Sequence, residues 1–150
     1  MREIFSKVKI INYEDVGLYA KGVIKKEEIR VIEEEGKIDT GSTHLVIPRR
    51  IFEKLGLRKI DEIEVIYANG KKEKKTVASV VVVEIKGRKA YTTPIVEEND
   101  KILIGNPILE EMDFYIDAVT GEIKPRHPEA KGPVAYIEQM KEISTGGKNG

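Results

Sequence analysis

Short apolar runs broken by polar turns dominate the chain. Val8-Lys9-Ile10-Ile11 and residues 17–24 read as strands on either side of Asn12-Tyr13-Glu14-Asp15, a turn-type cluster. Residues 25–28 are polar, a turn or a short helix, and from Ile29 a further strand leads toward Asp39. Leu45-Val46-Ile47 is apolar and stopped by Pro48. Residues 49–56 look helical, because Ile51, Phe52 and Leu55 share one face and Gly56 is placed to end the helix. Residues 62–67 alternate Ile63, Val65 and Tyr67 with polar neighbours, as a half-buried strand does. Asn69-Gly70 supplies the two positive-φ residues of a type I′ turn, so a hairpin is expected. Its return strand runs over residues 76–85, where Val80-Val81-Val82-Val83 has the continuous apolar character of a strand covered on both faces.

Lys86-Gly87-Arg88 turns into a strand over residues 90–96, and Ile102-Leu103-Ile104 is a short buried strand broken by Gly105. Asn106-Pro107 opens a short helix, with Asn as N-cap and Pro at the first helical position. A last hairpin pairs residues 114–117 with 122–124. Many short strands, turns at regular spacing and two short helices predict an all-β barrel or sandwich around one core. Pro125, Pro128, Gly132 and Pro133 then change the character of the chain. Residues 1–125 are expected to form the domain, and residues 126–150 a Pro/Gly-rich tail. Residues 134–143 suit one short helix or an extended arm that packs on a dimer or a cleft. Residues 144–150 are expected to be disordered.

Composition narrows the function classes. With 26 basic and 26 acidic residues the formal charge is zero, so nothing draws the chain to nucleic acid or an anionic membrane. No apolar run approaches the ~20 residues of a membrane-spanning helix, and the first residues lack a signal-peptide pattern. A cytoplasmic location is the expectation. There is no cysteine, hence neither a disulfide framework nor a thiol nucleophile. Lys and Glu dominate the charge and Gln139 is the one glutamine, a balance that leans toward a thermophile's.

The chemistry-bearing stretch is Lys37-Ile38-Asp39-Thr40-Gly41-Ser42-Thr43. Gly41 permits close backbone approach. Thr40 offers a hydroxyl to fix a turn, so Asp39 would project from a rigid loop. Asp-Thr-Gly alone is also an ordinary strand-ending turn. His44 lies near, yet with no third ligand close by, no metal site is expected; a loop histidine is the simpler reading.

The order of pieces carries more than the tripeptide. Asp39-Thr40-Gly41-Ser42 is followed by Leu45-Val46-Ile47, by a hairpin bearing Ala68-Asn69-Gly70, and by Ile102-Leu103-Ile104-Gly105-Asn106 before a helix. From about Ile29 to Lys124 this order resembles the retropepsin-like aspartic protease family, in its microbial single-domain branch. The resemblance implies a closed barrel with an active-site loop, a flap hairpin, and an apolar-apolar-Gly segment crossing behind the loop. It implies Asp39 as the catalytic residue, with Thr40, Gly41 and Ser42 supporting the loop and Thr40 bonding across a dimer axis. It further implies Tyr67, Ala68, Asn69, Gly70 and Ile104 at the substrate or flap, and Gly105 packing behind the loop. No cofactor is implied.

Such enzymes need two carboxylates that share one proton. No other aspartate in the chain precedes Thr-Gly or Ser-Gly, and no internal repeat supplies a second lobe. The second carboxylate is therefore expected from a second copy in a C2 homodimer, acting on an extended peptide or protein substrate. A rival reading keeps the fold as a non-catalytic peptide-binding or dimerisation module. The intact Asp-Thr-Gly favours the enzyme. The polar lead-in 34–38 and the charge run 71–75 favour the module, although a solvated hairpin tip accounts for that run. Tyr67 suits either a flap covering substrate or a packed strand aromatic.

Overall fold

A computed structural model of the chain describes residues 3–138. β1 (Ile4–Asn12) and β2 (Val31–Asp39) form a long antiparallel pair, with Ile4 opposite Ile38 and Ile10 opposite Ile32. β2 buries Ile32, Gly36 and Ile38 on one face, so the polar lead-in is a strand with its charges turned outward. Gly36 is apolar by necessity: a Cβ there would lie 3.0 Å from Ile104 Cδ1 and 3.2 Å from Val8 Cγ1. Lys37 pairs with Glu3 at 3.0 Å, and Glu34 pairs with Arg50 at 2.7 Å.

β3 (Val46–Pro48) leads straight into α2 (Arg49–Lys54), a helix numbered after α1 (Tyr13–Ala20). Gly56, at φ +61°, closes α2 with the paired bonds Gly56 N to Glu53 O and Leu57 N to Phe52 O, the Schellman pattern in which glycine is favoured. β4 (Lys59–Ile66) and β5 (Lys72–Ala78) form a hairpin, followed by β6 (Val81–Ile85), β7 (Arg88–Thr92), β8 (Ile95–Glu97), β9 (Ile102–Gly105) and α3 (Asn106–Glu111). β10 (Phe114–Asp117) and β11 (Glu122–Pro125) make a separate two-stranded sheet.

The main sheet has nine strands in the order β4-β5-β8-β3-β9-β2-β1-β6-β7. β5 and β6 lie six spacings apart in that order, which in a flat sheet is about 29 Å. In the chain only Ser79 and Val80 separate them, and such a link spans about 11 Å at most. The sheet must therefore curl on itself, and it does so around Val8, Ile10, Leu45, Ile47, Ile51 and Val83, all fully buried. The all-β, retropepsin-like fold class follows, with β4 and β7 as the edges of the curled sheet.

Several elements differ from the sequence expectation. Residues 13–20 are helix, not turn and strand. Asn12 caps this helix by accepting from Asp15 N at 3.2 Å while its own Nδ2 donates to Leu55 O at 2.8 Å. Only Asp15 of α1 is buried, so the helix has no apolar stripe to betray it. The expected strand 76–85 is two strands, because Ser79 leaves the ladder to bond Arg58 in both directions. The hairpin turn is not type I′. Gly70 alone takes positive φ, Gly70 N donates to Tyr67 O, and Tyr67 N donates to Lys71 O, which is a three-residue loop with a glycine bulge. Residues 72–75 are strand rather than hairpin tip. Gly105, not Asn106, caps α3, with Pro107 in the first turn.

The segment after Pro125 returns to the domain. Asp113 ends α3 at φ +63°, the left-handed position where Asp is among the tolerated residues. Its buried carboxylate accepts from Val134 N at 3.1 Å and meets His127 Nδ1 at 2.7 Å. Arg88, also buried, donates to Met112 O, His127 O and Ala130 O. Burial pushes the Asp113 carboxyl upward, but the His127 ring, the Val134 N–H and Arg88 outweigh it and hold the group below its ordinary value. The expected arm 134–143 is thus anchored at its start, and 139–150 lie outside the described residues. No helix among the described residues is long and apolar enough to cross a membrane.

Candidate active site

Asp39 is the last residue of β2 and pairs with Gly105 of the parallel strand β9. The chain then reverses: Ser42 N donates to Asp39 O at 3.1 Å. Gly41 N donates to Asp39 Oδ1 at 3.1 Å, and Ser42 Oγ donates to Asp39 Oδ2 at 3.0 Å. Each carboxylate oxygen therefore accepts one bond from the loop and keeps further acceptor capacity. The side chain is half-buried, oriented by its own turn.

Gly105 lies directly behind this loop. A Cβ there would fall 2.6 Å from Ser42 O, 2.7 Å from His44 O and 3.0 Å from His44 N. These are main-chain atoms, so no side-chain rotation relieves the clash. Asn106 N donates to Ser42 O at 3.3 Å, tying the start of α3 to the same loop.

A cleft of about 590 Å³ opens in front of Asp39. The Asp39 to His44 loop forms one side, the end of β4 and the start of the turn after it, from Ile63 to Ala68, the other, and Val46, Ile95 and Leu103 contribute apolar surface. Its ionisable lining is Asp39, Glu64, Glu97, His44 and Tyr67, with no Lys or Arg. Tyr67 donates from its hydroxyl to Glu97 Oε2 at 2.6 Å. That bond to a carboxylate, together with burial, pushes the phenol up to about 12. Lys75 bridges Glu73 and Glu97 at 3.0 and 3.1 Å, and these carboxylates raise its pKa.

Asp39, Gly41, Ser42, Tyr67 and Ala68 of the expected site line this one cleft. Asn69 and Gly70 sit at the hairpin tip, where Asn69 Oδ1 accepts from Lys71 N. Ile104 departs from expectation. It is fully buried, and Leu103 takes the cleft-facing position because successive residues of a strand point to opposite sides. Thr40 faces a second, mainly apolar cavity of about 440 Å³, with Ile4, Ile38, Ile116 and Ala118. His44 Nδ1 contacts Thr43 Oγ1 at 2.8 Å. Among the described residues no group of three His, Asp or Glu side chains is arranged to hold a metal. Sequence reasoning missed Leu103 and Glu97. Strand parity in 102–104 was the available signal for the first; nothing local marked the second.

A family model described as aspartyl protease matches residues 30–108, more than half of the chain, from the start of β2 through the cleft into α3. The chain belongs to the aspartyl protease family. The matched span holds Asp39, Tyr67, Glu97 and Gly105, so the cleft described above is the family's matched region in this aspartyl protease homologue. No curated protein matches it. Among solved structures, the solution structure of Simian Foamy Virus (mac) protease is similar at 17% identity, covering 71% of this chain and 91% of that one, with a TM-score of 0.46.

Proposed function

We propose that the protein is an aspartic endopeptidase that works as a homodimer, with Asp39 of each copy forming the catalytic pair. The observation that carries this reading is Asp39 itself: a carboxylate with both oxygens oriented by its own loop, at the edge of a peptide-sized cleft, with one such loop per chain. Glu97 is the poorer choice for the second carboxylate, because Tyr67 and Lys75 bond it, one at each oxygen, and tie it to the hairpin. Two Asp39 groups a few Å apart would share one proton, since like charges that close do not both ionise. The ionised one takes a proton from a water as it attacks the peptide carbonyl, and the protonated one donates to the developing oxyanion. Extended substrate would lie along the β4 edge, pairing its main chain by β-addition.

The cavity beside Thr40 supports the face for the second copy. Its lining is mainly apolar, with Thr40 and Asp117 as its polar members, it adjoins the active-site loop, and Val119, next in the chain to Ala118 of that lining, stands 90% exposed. The test is cleavage of an unfolded protein at acidic and neutral pH, beside Asp39→Asn. Cleavage that disappears in the variant supports the enzyme. Equal behaviour of the two proteins overturns it and leaves the peptide-binding module.

A further inference from the structure

The hairpin of β4 and β5 is held to the rest of the sheet at its base. β4 is the sheet edge, so β5 carries the hairpin's link to β8. The ladder between β5 and β8 consists of the pair Val77–Ile95. Continuing that antiparallel register by two residues puts Lys75 opposite Glu97, and there the connection is by side chains. Beyond it the hairpin is a two-stranded ribbon, a unit that is marginal in water on its own.

We propose that Glu97 is a positioning residue that pins this flap over the cleft, gripping it through the Tyr67 hydroxyl with Lys75 as counter-ion. The three groups come from three places: Tyr67 just past the end of β4, Lys75 within the return strand β5 and Glu97 at the end of β8. Glu97 Oε2 accepts from Tyr67 and Oε1 from Lys75, so both oxygens are engaged by the ribbon. The Lys75 and Glu97 side chains are each 14% exposed, a setting in which a charge pair is less screened than at the surface. An O–H bond of 2.6 Å to a carboxylate is of the short, charge-assisted kind. Lifting the ribbon away from β8 must break that bond, because Tyr67 and Glu97 move with opposite sides of the cleft. Glu97 therefore sets how often the flap opens. The consequence for catalysis rests on the proteolytic reading above; the mechanical claim does not.

Amide hydrogen exchange separates the two. It is measured on the full chain carrying Asp39→Asn, so that proteolysis plays no part. Tyr67→Phe keeps the ring and removes only the hydroxyl. It is expected to speed exchange at the Tyr67 and Gly70 amides about tenfold, with Val81 to Val83 unchanged. Glu97→Gln, which keeps an acceptor but loses the charge, is expected to fall between Tyr67→Phe and the parent. The double variant should add little to Tyr67→Phe, because both changes act on one bond. With Asp39 restored, Tyr67→Phe should raise KM several-fold more than it lowers kcat. Flap exchange unchanged in Tyr67→Phe, or effects of the two variants that simply add, overturns the proposal. Absence of cleavage by the parent with exchange behaving as stated overturns the protease and leaves the latch.

Discussion

Adding one methyl group at Gly105 tests the construction of the site more sharply than removing Asp39 does. In Gly105→Ala the new carbon would sit 2.6 Å from Ser42 O and 2.7 Å from His44 O, whereas optimal heavy-atom separations begin near ~3.5 Å. The loop and β9 must therefore separate by about 0.9 Å, judged against that optimum. Overpacking of this kind costs about 1–3 kcal/mol, or a melting point lower by roughly 2–12 °C at 2–4 °C per kcal/mol for a chain of this size. Activity should suffer more, because the opposed atoms belong to residues three and five places after Asp39. A shift approaching 1 Å at reacting groups can cost about 100-fold in rate. The same substitution at Gly17 is the control. It lies within α1 with nothing within 4 Å of its Cβ position, so Gly17→Ala should stabilise by about 0.5–1 kcal/mol. Calorimetry and a peptide-cleavage assay on both variants decide the matter. Gly105→Ala with parental melting point and parental cleavage refutes the claim that close packing behind the loop positions Asp39.

Three further outcomes follow from other parts of the fold. The bidentate Arg30 guanidinium and its N–H hold buried Asp15 below the ordinary carboxylate range; a depressed folded pKa stabilises above the unfolded value of about 3.9 and loses that contribution as pH falls through the folded one. Urea unfolding should therefore place Asp15→Asn about 1–3 kcal/mol below the parent at neutral pH, with the gap closing below about pH 4; a gap independent of pH refutes the assignment. Arg88→Leu strips the buried Asp113 of its cation and leaves Met112 O and Ala130 O without their donor, so it should cost about 3–5 kcal/mol, read by urea unfolding, and a loss under 1 kcal/mol would contradict the buried network. Ala118→Arg puts a charged chain into the cavity beside Thr40 from an exposed position; sedimentation should show a monomer with an unchanged melting point, while a persistent dimer moves the interface elsewhere.

The parts legible in the sequence are those in which local chemistry and burial agree. The alternation of Ile63, Val65 and Tyr67, the Pro48 and Gly56 limits of α2 and the order of loop, hairpin and crossing strand all carry into the structure. The failures occur where tertiary partners outvote local pattern. α1 presents Leu18 and Tyr19 to solvent and buries only Asp15, so its helicity rests on the Asn12 cap and not on an apolar stripe. The expected strand 76–85 is cut because Ser79 finds its partners on Arg58, in another strand's approach. Lys75 reads as one more solvated lysine until β8 brings Glu97 beside it. The cleft's charge pattern is invisible for the same reason: Glu64 and Glu97 come to one cleft only once β5 pairs with β8.

In the proposed homodimer each chain would bring its half of the site already finished. Asp39 depends on no distant side chain for its orientation: Gly41 N and Ser42 Oγ lie within three residues of it, and Gly105 fixes the loop from behind by contact alone. Such a loop can be rigid in an isolated copy, so the aspartate need not be ordered at the moment two copies meet. The entropy of fixing it is spent during folding, not on association. In that proposal association would add the second charge, and with it the proton-sharing that distinguishes a catalytic pair from a lone half-buried carboxylate. The flap follows the opposite design. Its ribbon is weakly connected beyond Val77 and pinned by a phenol, a lysine and a glutamate, so it can move while the aspartate does not. A rigid carboxylate under a releasable cover would suit the proposed hydrolysis of an extended chain, because substrate would enter sideways yet meet its water in a fixed place.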